Sequence, residues 1–109
     1  VAGIGEGGSP GLSIESGRDE AGNPLITLAG ELDLMAADSL RRAIAAALEP
    51  SATRLVFEVA GLRFIDSAGL AVLIEASSRV ESLELRSASP AVRRAIELTG
   101  LSDLLRIVS

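Results

Sequence analysis

The spacing of apolar residues changes period several times along the chain, and each change marks an element. Leu12 to Ser16 alternates apolar and polar, GRDEAGNP then supplies Gly17, Gly22, Asn23 and Pro24 as turn residues, and Leu25 to Ala29 (LITLA) is a nearly continuous apolar run. This pattern predicts a hairpin of two strands, ended by Gly30. From Ala36 the apolar positions Leu40, Ile44, Ala47 and Leu48 fall on one helical face, Arg41 and Arg42 point elsewhere, and Pro50 stops the helix. Asp33 or Asp38 is placed to cap its start. Arg54 to Ala60, built on LVFEV, is short and β-branched and predicts a buried strand followed by Gly61.

Ser67 to Val80 returns to helical spacing, with Leu70, Leu73, Ile74 and Ser77 on one face. Leu83 to Ser87 (LELRS) alternates as a strand does. Ser89 and Pro90 form an N-cap with proline at the first helical position; Val92, Ala95, Ile96 and Thr99 share a face, and Gly100 is a stop. Leu104 to Val108 adds a last short strand. The order is therefore β-β-α-β-α-β-α-β, an α/β fold with a mixed sheet of four to five strands covered by helices through right-handed crossovers. Residues 1–11, VAGIGEGGSPG, hold five Gly, one Ser and one Pro without a period and predict a flexible N-terminal arm ahead of a single domain over 12–109.

Composition narrows function by what is missing. The chain has 109 residues with no Cys and no His, which removes thiolate nucleophiles, disulfides and the commonest general base and metal ligand. All ten basic residues are Arg, so lysine-dependent α/β enzymes and switches are excluded. The net charge of -5, with two Phe and no Tyr or Trp, argues against nucleic acid as a partner. Neither a nucleophile–base pair nor a metal cluster can be assembled, so the expectation is a protein that is not an enzyme and needs no cofactor or metal. No apolar run reaches the length of a membrane span and no secretory signal opens the chain, which makes the cytoplasm the expected address, with no membrane partner.

The segment richest in chemistry is FIDSAGL, Phe64 to Leu70, at the carboxyl end of the LVFEV strand and the start of the next helix. A hydroxyl there faces unpaired N–H groups and the positive end of the helix dipole, where phosphate is tolerated. Ala68 and Gly69, which lack bulk, leave Ser67 open to another protein's active-site loop. The plainer alternative is that Asp66 or Ser67 is an N-cap and Gly69 eases packing. Glu31 and Asp33, in GELD after the hairpin, read as a solvated turn and helix cap with partner contact as a secondary use; Arg93 and Arg94 read as ordinary helix surface.

With FIDSAGL behind a strand, the sequence resembles the STAS family, and within it the anti-sigma factor antagonists. The resemblance spans residues 12 to 108 and rests on LAGELD, RLVFEVAGL, FIDSAGL and SPAVRRAIELTGL in that order. It implies the STAS fold and a phosphorylatable serine at Ser67, modified by a partner that is both an ATP-dependent serine kinase and an anti-sigma factor, with a phosphatase acting on phospho-Ser67. Asp66 and Gly69 match the family motif, and Glu31 and Asp33 its G-E-L-D turn; the implied partner surface is Glu31, Asp33, Asp66, Ser67, Ala68, Gly69 and Leu70. Three departures stand out. Ala68 occupies a position where some members carry a second hydroxyl, the span before LELRS is about one helical turn short of common members, and the chain ends at Ser109 where relatives usually continue into a helix. The implied function is release of a sigma factor by the unphosphorylated form, switched off by phosphorylation. The alternative is a STAS scaffold or regulatory subunit of a transporter that makes no use of Ser67 chemistry.

Overall fold

In the computed structural model, which describes residues 6–108, the chain enters the sheet earlier than its sequence pattern suggests. Strand β1 (Glu6–Ser9) turns at Pro10 and Gly11 and pairs antiparallel with β2 (Leu12–Arg18), Gly7 opposite Ile14 and Gly8 opposite Ser13. Residues 6–9 of the expected flexible arm are thus a strand, held by main-chain pairing that has no need of an apolar side-chain pattern. Residues 1–5 of that arm lie outside the described residues.

After β2 the chain forms β3 (Pro24–Leu32), α1 (Ala37–Ala47), β4 (Arg54–Ile65), α2 (Ser67–Ser77), β5 (Ser82–Arg86), α3 (Pro90–Leu98) and β6 (Arg106–Val108). From β2 onward this is the predicted order, and β1 makes the sheet six-stranded in the sequential order β1-β2-β3-β4-β5-β6. The first three strands are antiparallel and β3 to β6 are parallel. Each β-α-β step moves to the next strand in the same direction, so right-handed crossovers lay all three helices on one face. There Ile14, Ile26, Leu28, Phe57 and Leu85 of the sheet join Leu40, Leu73 and Ile96 of the helices in one buried cluster.

Both strands that meet at the candidate site outrun the glycines read as their ends. Gly30 lies inside β3 and Gly61 inside β4, and register shifts on either side of Ala29 and Gly30 absorb the irregularity. Gly30 has φ +106, and a Cβ on it would lie 2.1 Å from the Gly11 carbonyl oxygen; the glycine permits a bulge where two strands press together. Glu31 consequently belongs to a strand and not to the turn expected for it.

Two helix readings also change. In α2 the buried stripe is Gly69, Val72, Leu73 and Ala76, while Leu70, Ile74 and Ser77 of the expected face are half-buried at its margin. Small Gly69 and Ala76 let the helix sit close to the sheet, and the larger side chains flank it. The helix ends at Ser77 and not at Val80, because the Ser77 and Ser78 hydroxyls donate to the Ile74 and Glu75 carbonyls at 2.6 and 2.7 Å and close the last turn. In α3, Val92 and Ile96 are buried, Ala95 is half-buried and Thr99 is exposed; Ser89 caps the helix by accepting the Val92 N–H at 3.2 Å, as expected.

On the face opposite the helices, Val56 and Glu84 are nonetheless buried. Arg86 lies across this face, donating to Glu84 and, at 3.2 Å, to Asp19 Oδ2 in the β2–β3 turn. The Asn23 side-chain amide and then its N–H, followed by the Ala21 N–H and the Arg86 charge, hold the Asp19 carboxyl below its ordinary range.

Candidate functional site

Strand β4 passes into α2 with one residue between them, and that residue organises the site. Ile65, the last of the strand, points into the core; Asp66 is extended at φ -107 and ψ -175; Ser67 is already helical. Asp66 Oδ1 accepts the Gly69 N–H at 3.0 Å, and Oδ2 accepts the Leu34 N–H at 3.1 Å. The Asp66 N–H donates to the Leu32 carbonyl at 3.2 Å. One carboxylate therefore caps α2 and clips it to the turn between β3 and α1. The capping alternative resolves in favour of Asp66.

Ser67 is left over by this arrangement. It is exposed at the first helical position, and its hydroxyl makes no hydrogen bond among the described residues. The N–H groups of Ser67 and Ala68 belong to the first turn, which has no intrahelical acceptor for them. Negative charge on the serine oxygen would meet these donors and the positive end of the helix dipole. No side chain there is placed as a base: the Asp66 carboxylate already holds two N–H groups, and the chain has no His.

The other residues expected beside it separate into different roles. Gly69 is buried, and a Cβ there would meet the Leu32 carbonyl oxygen at 2.6 Å, Leu32 Cγ at 2.7 Å and Ile65 Cγ1 at 3.1 Å. Its lack of bulk serves the seating of α2 on β3, which is the packing alternative, and does not open Ser67 to a partner. Ala68 and Leu70 are half-buried, Leu70 against the core. Glu31 is exposed and faces Arg63 at 3.9 Å, a weak surface pair. Asp33 accepts the Ala36 N–H at 3.2 Å within the turn; the N-cap of α1 is Ala36, which has no side-chain cap, and Asp38 in the first turn pairs with Arg41 at 2.9 Å. Neither aspartate is the N-cap expected of it. Among the described residues no group of three His, Cys, Asp or Glu is disposed to hold a metal.

The sequence reading gave no role to Leu34, Met35 and Phe64, which are 71%, 81% and 49% exposed; Leu34 is tied through its N–H to Asp66, and Phe64 stands two residues before Asp66 in the chain. The signal was their phase: Leu34 and Met35 precede the helical stripe, and Phe64 falls between the inward-pointing Leu62 and Ile65.

This sheet order, with a capped serine at the β4–α2 junction, defines a STAS domain. The STAS family model described as "Mlab, STAS domain" matches residues 16–107, and the chain belongs to this family. Within it the similarity is to anti-sigma factor antagonists. The Mycobacterium tuberculosis anti-sigma-F factor antagonist RsfB is 30% identical over 94 residues, covering 84% of this chain and 77% of that protein. An anti-sigma F factor antagonist of Lysinibacillus sphaericus is 30% identical over 82 residues, covering 71% and 70%. The crystal structure of an anti-sigma factor antagonist from Mycobacterium paratuberculosis superposes with a TM-score of 0.78 at 27% identity, over 88% of this chain and 84% of that one. Unphosphorylated SpoIIAA shares the fold at 23% identity and a TM-score of 0.69, covering 88% of each chain. No helix among the described residues is long and apolar enough to cross a membrane.

Proposed function

We propose that this STAS domain is a phosphorylation-controlled anti-sigma factor antagonist. Unphosphorylated, it binds an anti-sigma factor of the serine kinase type and frees a sigma factor; phosphorylation of Ser67 by the same partner ends the binding, and a phosphatase restores it. The carrying observation is the exposed, uncommitted Ser67 hydroxyl held at the start of α2 by the Asp66 cap. The names of the relatives support the same role, and SpoIIAA is a fold relative whose structure is also known in a phosphorylated form.

Phosphorylation adds about -1.5 to -2 charge beside the Asp66 carboxylate on an already acidic domain. The α2 N-terminus tolerates that charge locally, so the fold persists while the docking surface becomes more negative and more strongly hydrated. The domain works in the cytoplasm and performs no chemistry itself.

The test is incubation with purified serine-kinase anti-sigma factors and ATP, followed by mass mapping. Label is expected on Ser67 and lost in Ser67→Ala, which should still bind. Ser67→Glu should bind at least about fivefold more weakly with an unchanged circular dichroism spectrum. Wild-type labelling of the alanine variant would remove the assignment. A second reading, a STAS scaffold or regulatory unit of a transporter, is favoured by one observation: the fold also matches SLC26A9, with a TM-score of 0.64 at 19% identity, over 75% of this chain but 16% of that one. The domain is therefore also found as a small part of a longer chain. Equal affinity of wild type and Ser67→Glu for every partner tested would favour that reading.

A further inference from the structure

Val56 is wholly buried, yet it lies outside the apolar cluster between the sheet and the helices. It stands on the opposite face, in a row across three strands with half-buried Leu25 on one side and buried Glu84 on the other. No helix covers that face. The cover comes from the β2–β3 turn, Asp19–Asn23, together with Arg86 of β5. In the sheet order β5 stands two strands beyond β3, about 10 Å away. The bond from Arg86 to Asp19 Oδ2 at 3.2 Å therefore closes over β4, and the Arg86 side chain and the turn roof Val56 between them. The turn keeps its own shape: Asp19 Oδ1 accepts the Ala21 and Asn23 N–H groups at 3.0 and 2.9 Å, and Oδ2 accepts the Asn23 side-chain amide at 3.1 Å.

What holds this roof down is charge. The five turn residues, Asp19, Glu20, Ala21, Gly22 and Asn23, bring no large apolar side chain. Their side-chain ties to the rest of the sheet are Arg86 to Asp19 and, at 3.8 Å, to Glu20, and the adjoining Arg18 reaches Glu49 at 2.9 Å. Beneath the turn one guanidinium, 31% exposed, serves two carboxylates, Asp19 and Glu84, that are 2% and 10% exposed. The neighbouring charges do not restore the balance. Glu58, in register with Arg86, spends its carboxylate on the Ala60 N–H and the Ser87 hydroxyl, and Arg106, in register with Glu84, is exposed. Covering two carboxylates costs desolvation that one cation offsets only in good geometry, and a segment with few apolar contacts opens before the core does. We propose that Asp19–Asn23 is a strap closed over the Leu25–Val56 row by the Arg86 latch, and that it lifts as a unit to uncover that row without unfolding the sheet. Val56 lies near the start of β4 and Ser67 follows its end, so the device is separate from the antagonist reading and needs no partner to operate.

The chain has no Cys, so a single introduced thiol reports on its own site. Val56→Cys places it under the strap, and Val59→Cys places it in the helix-side core of the same strand, where Val59 is equally buried. Each is reacted with 4,4′-dithiodipyridine under native conditions, with Arg86 intact and with Arg86→Gln, at low salt and in about 1 M sodium chloride, with urea midpoints recorded. Val56→Cys is expected to react about tenfold faster than Val59→Cys, because its thiol needs only the strap to open. Arg86→Gln should raise the Val56→Cys rate about tenfold again, and salt should raise it in the protein that keeps Arg86, since at about 1 M the screening length is about 3 Å. Val59→Cys should change only as far as the urea midpoint does. Equal rates at the two cysteines, or an equal acceleration of both by Arg86→Gln, would show that the turn opens only with the whole domain and would overturn the strap. Should Arg86→Gln fail to fold, the salt comparison decides on the protein that keeps Arg86: a Val56→Cys rate indifferent to salt would overturn the latch.

Discussion

Replacing Gly69 by alanine separates packing from partner access at the motif next to Ser67. In an unconstrained helix the change is favourable by up to about 1 kcal/mol, because glycine loses more backbone entropy. Here the new methyl would sit 2.6 Å from the Leu32 carbonyl oxygen and 2.7 Å from Leu32 Cγ. That oxygen accepts the Asp66 N–H, and Leu32 is fully buried, so neither can move without disturbing the clip between the two turns. Forcing an extra methyl into a packed site costs about 1–3 kcal/mol, which exceeds the helical gain over most of that range. Set against the full helical gain, the expected net loss is up to about 2 kcal/mol, or a fall of up to about 1 M in the urea midpoint for a domain of this size. Gly17→Ala is the control: nothing lies within 4 Å of its Cβ position, and its unfolding free energy should stay within about 0.5 kcal/mol of wild type. Urea titration followed by far-ultraviolet circular dichroism reads both. A Gly69→Ala midpoint at or above wild type would show that α2 does not press on β3 as described.

Asp66→Ala should cost about 1–2 kcal/mol and speed amide exchange at both Gly69 and Leu34, because one carboxylate serves both N–H groups; faster exchange at Gly69 alone would leave a cap without the clip. The lowered pKa of Asp19 makes its stabilising contribution present above the ordinary Asp range of about 4 and lost as pH falls through the lowered folded value. Wild type should therefore lose more of its urea midpoint between about pH 6 and pH 3 than Asp19→Asn does, and parallel curves would contradict the assigned hydrogen bonds.

Much of this fold was legible because the chain repeats one step. Each helix carries a stripe of buried residues and each parallel strand a short β-branched or leucine-rich run, so the order from β2 to β6 follows from period alone. The failures have particular causes. Strand β1 is glycine-rich and paired through its backbone, and a pattern of side chains cannot report main-chain pairing. Gly30 and Gly61 were read as terminators because the same residue serves a stop and a bulge; only the approach of Gly11 to Gly30, and of Ala29 to Gly61, distinguishes them. The face of α2 was displaced because its buried stripe includes Gly69 and Ala76, whose smallness hides them from a search for large apolar side chains.

The candidate site shows the same division more sharply. Ser67 and Asp66 were legible because a cap followed by a hydroxyl at a strand–helix junction is a local arrangement, written in adjacent residues. What Asp66 does with its second oxygen was not, since Leu34 lies 32 positions away in sequence. That long-range bond gives the short motif its reach: it ties the turn bearing Leu34 and Met35 to the residue just before Ser67. A phosphate added at Ser67 would place its charge beside the carboxylate that makes this bond. In the proposed switch, that added charge would oppose docking while the capped start of α2 leaves the fold in place.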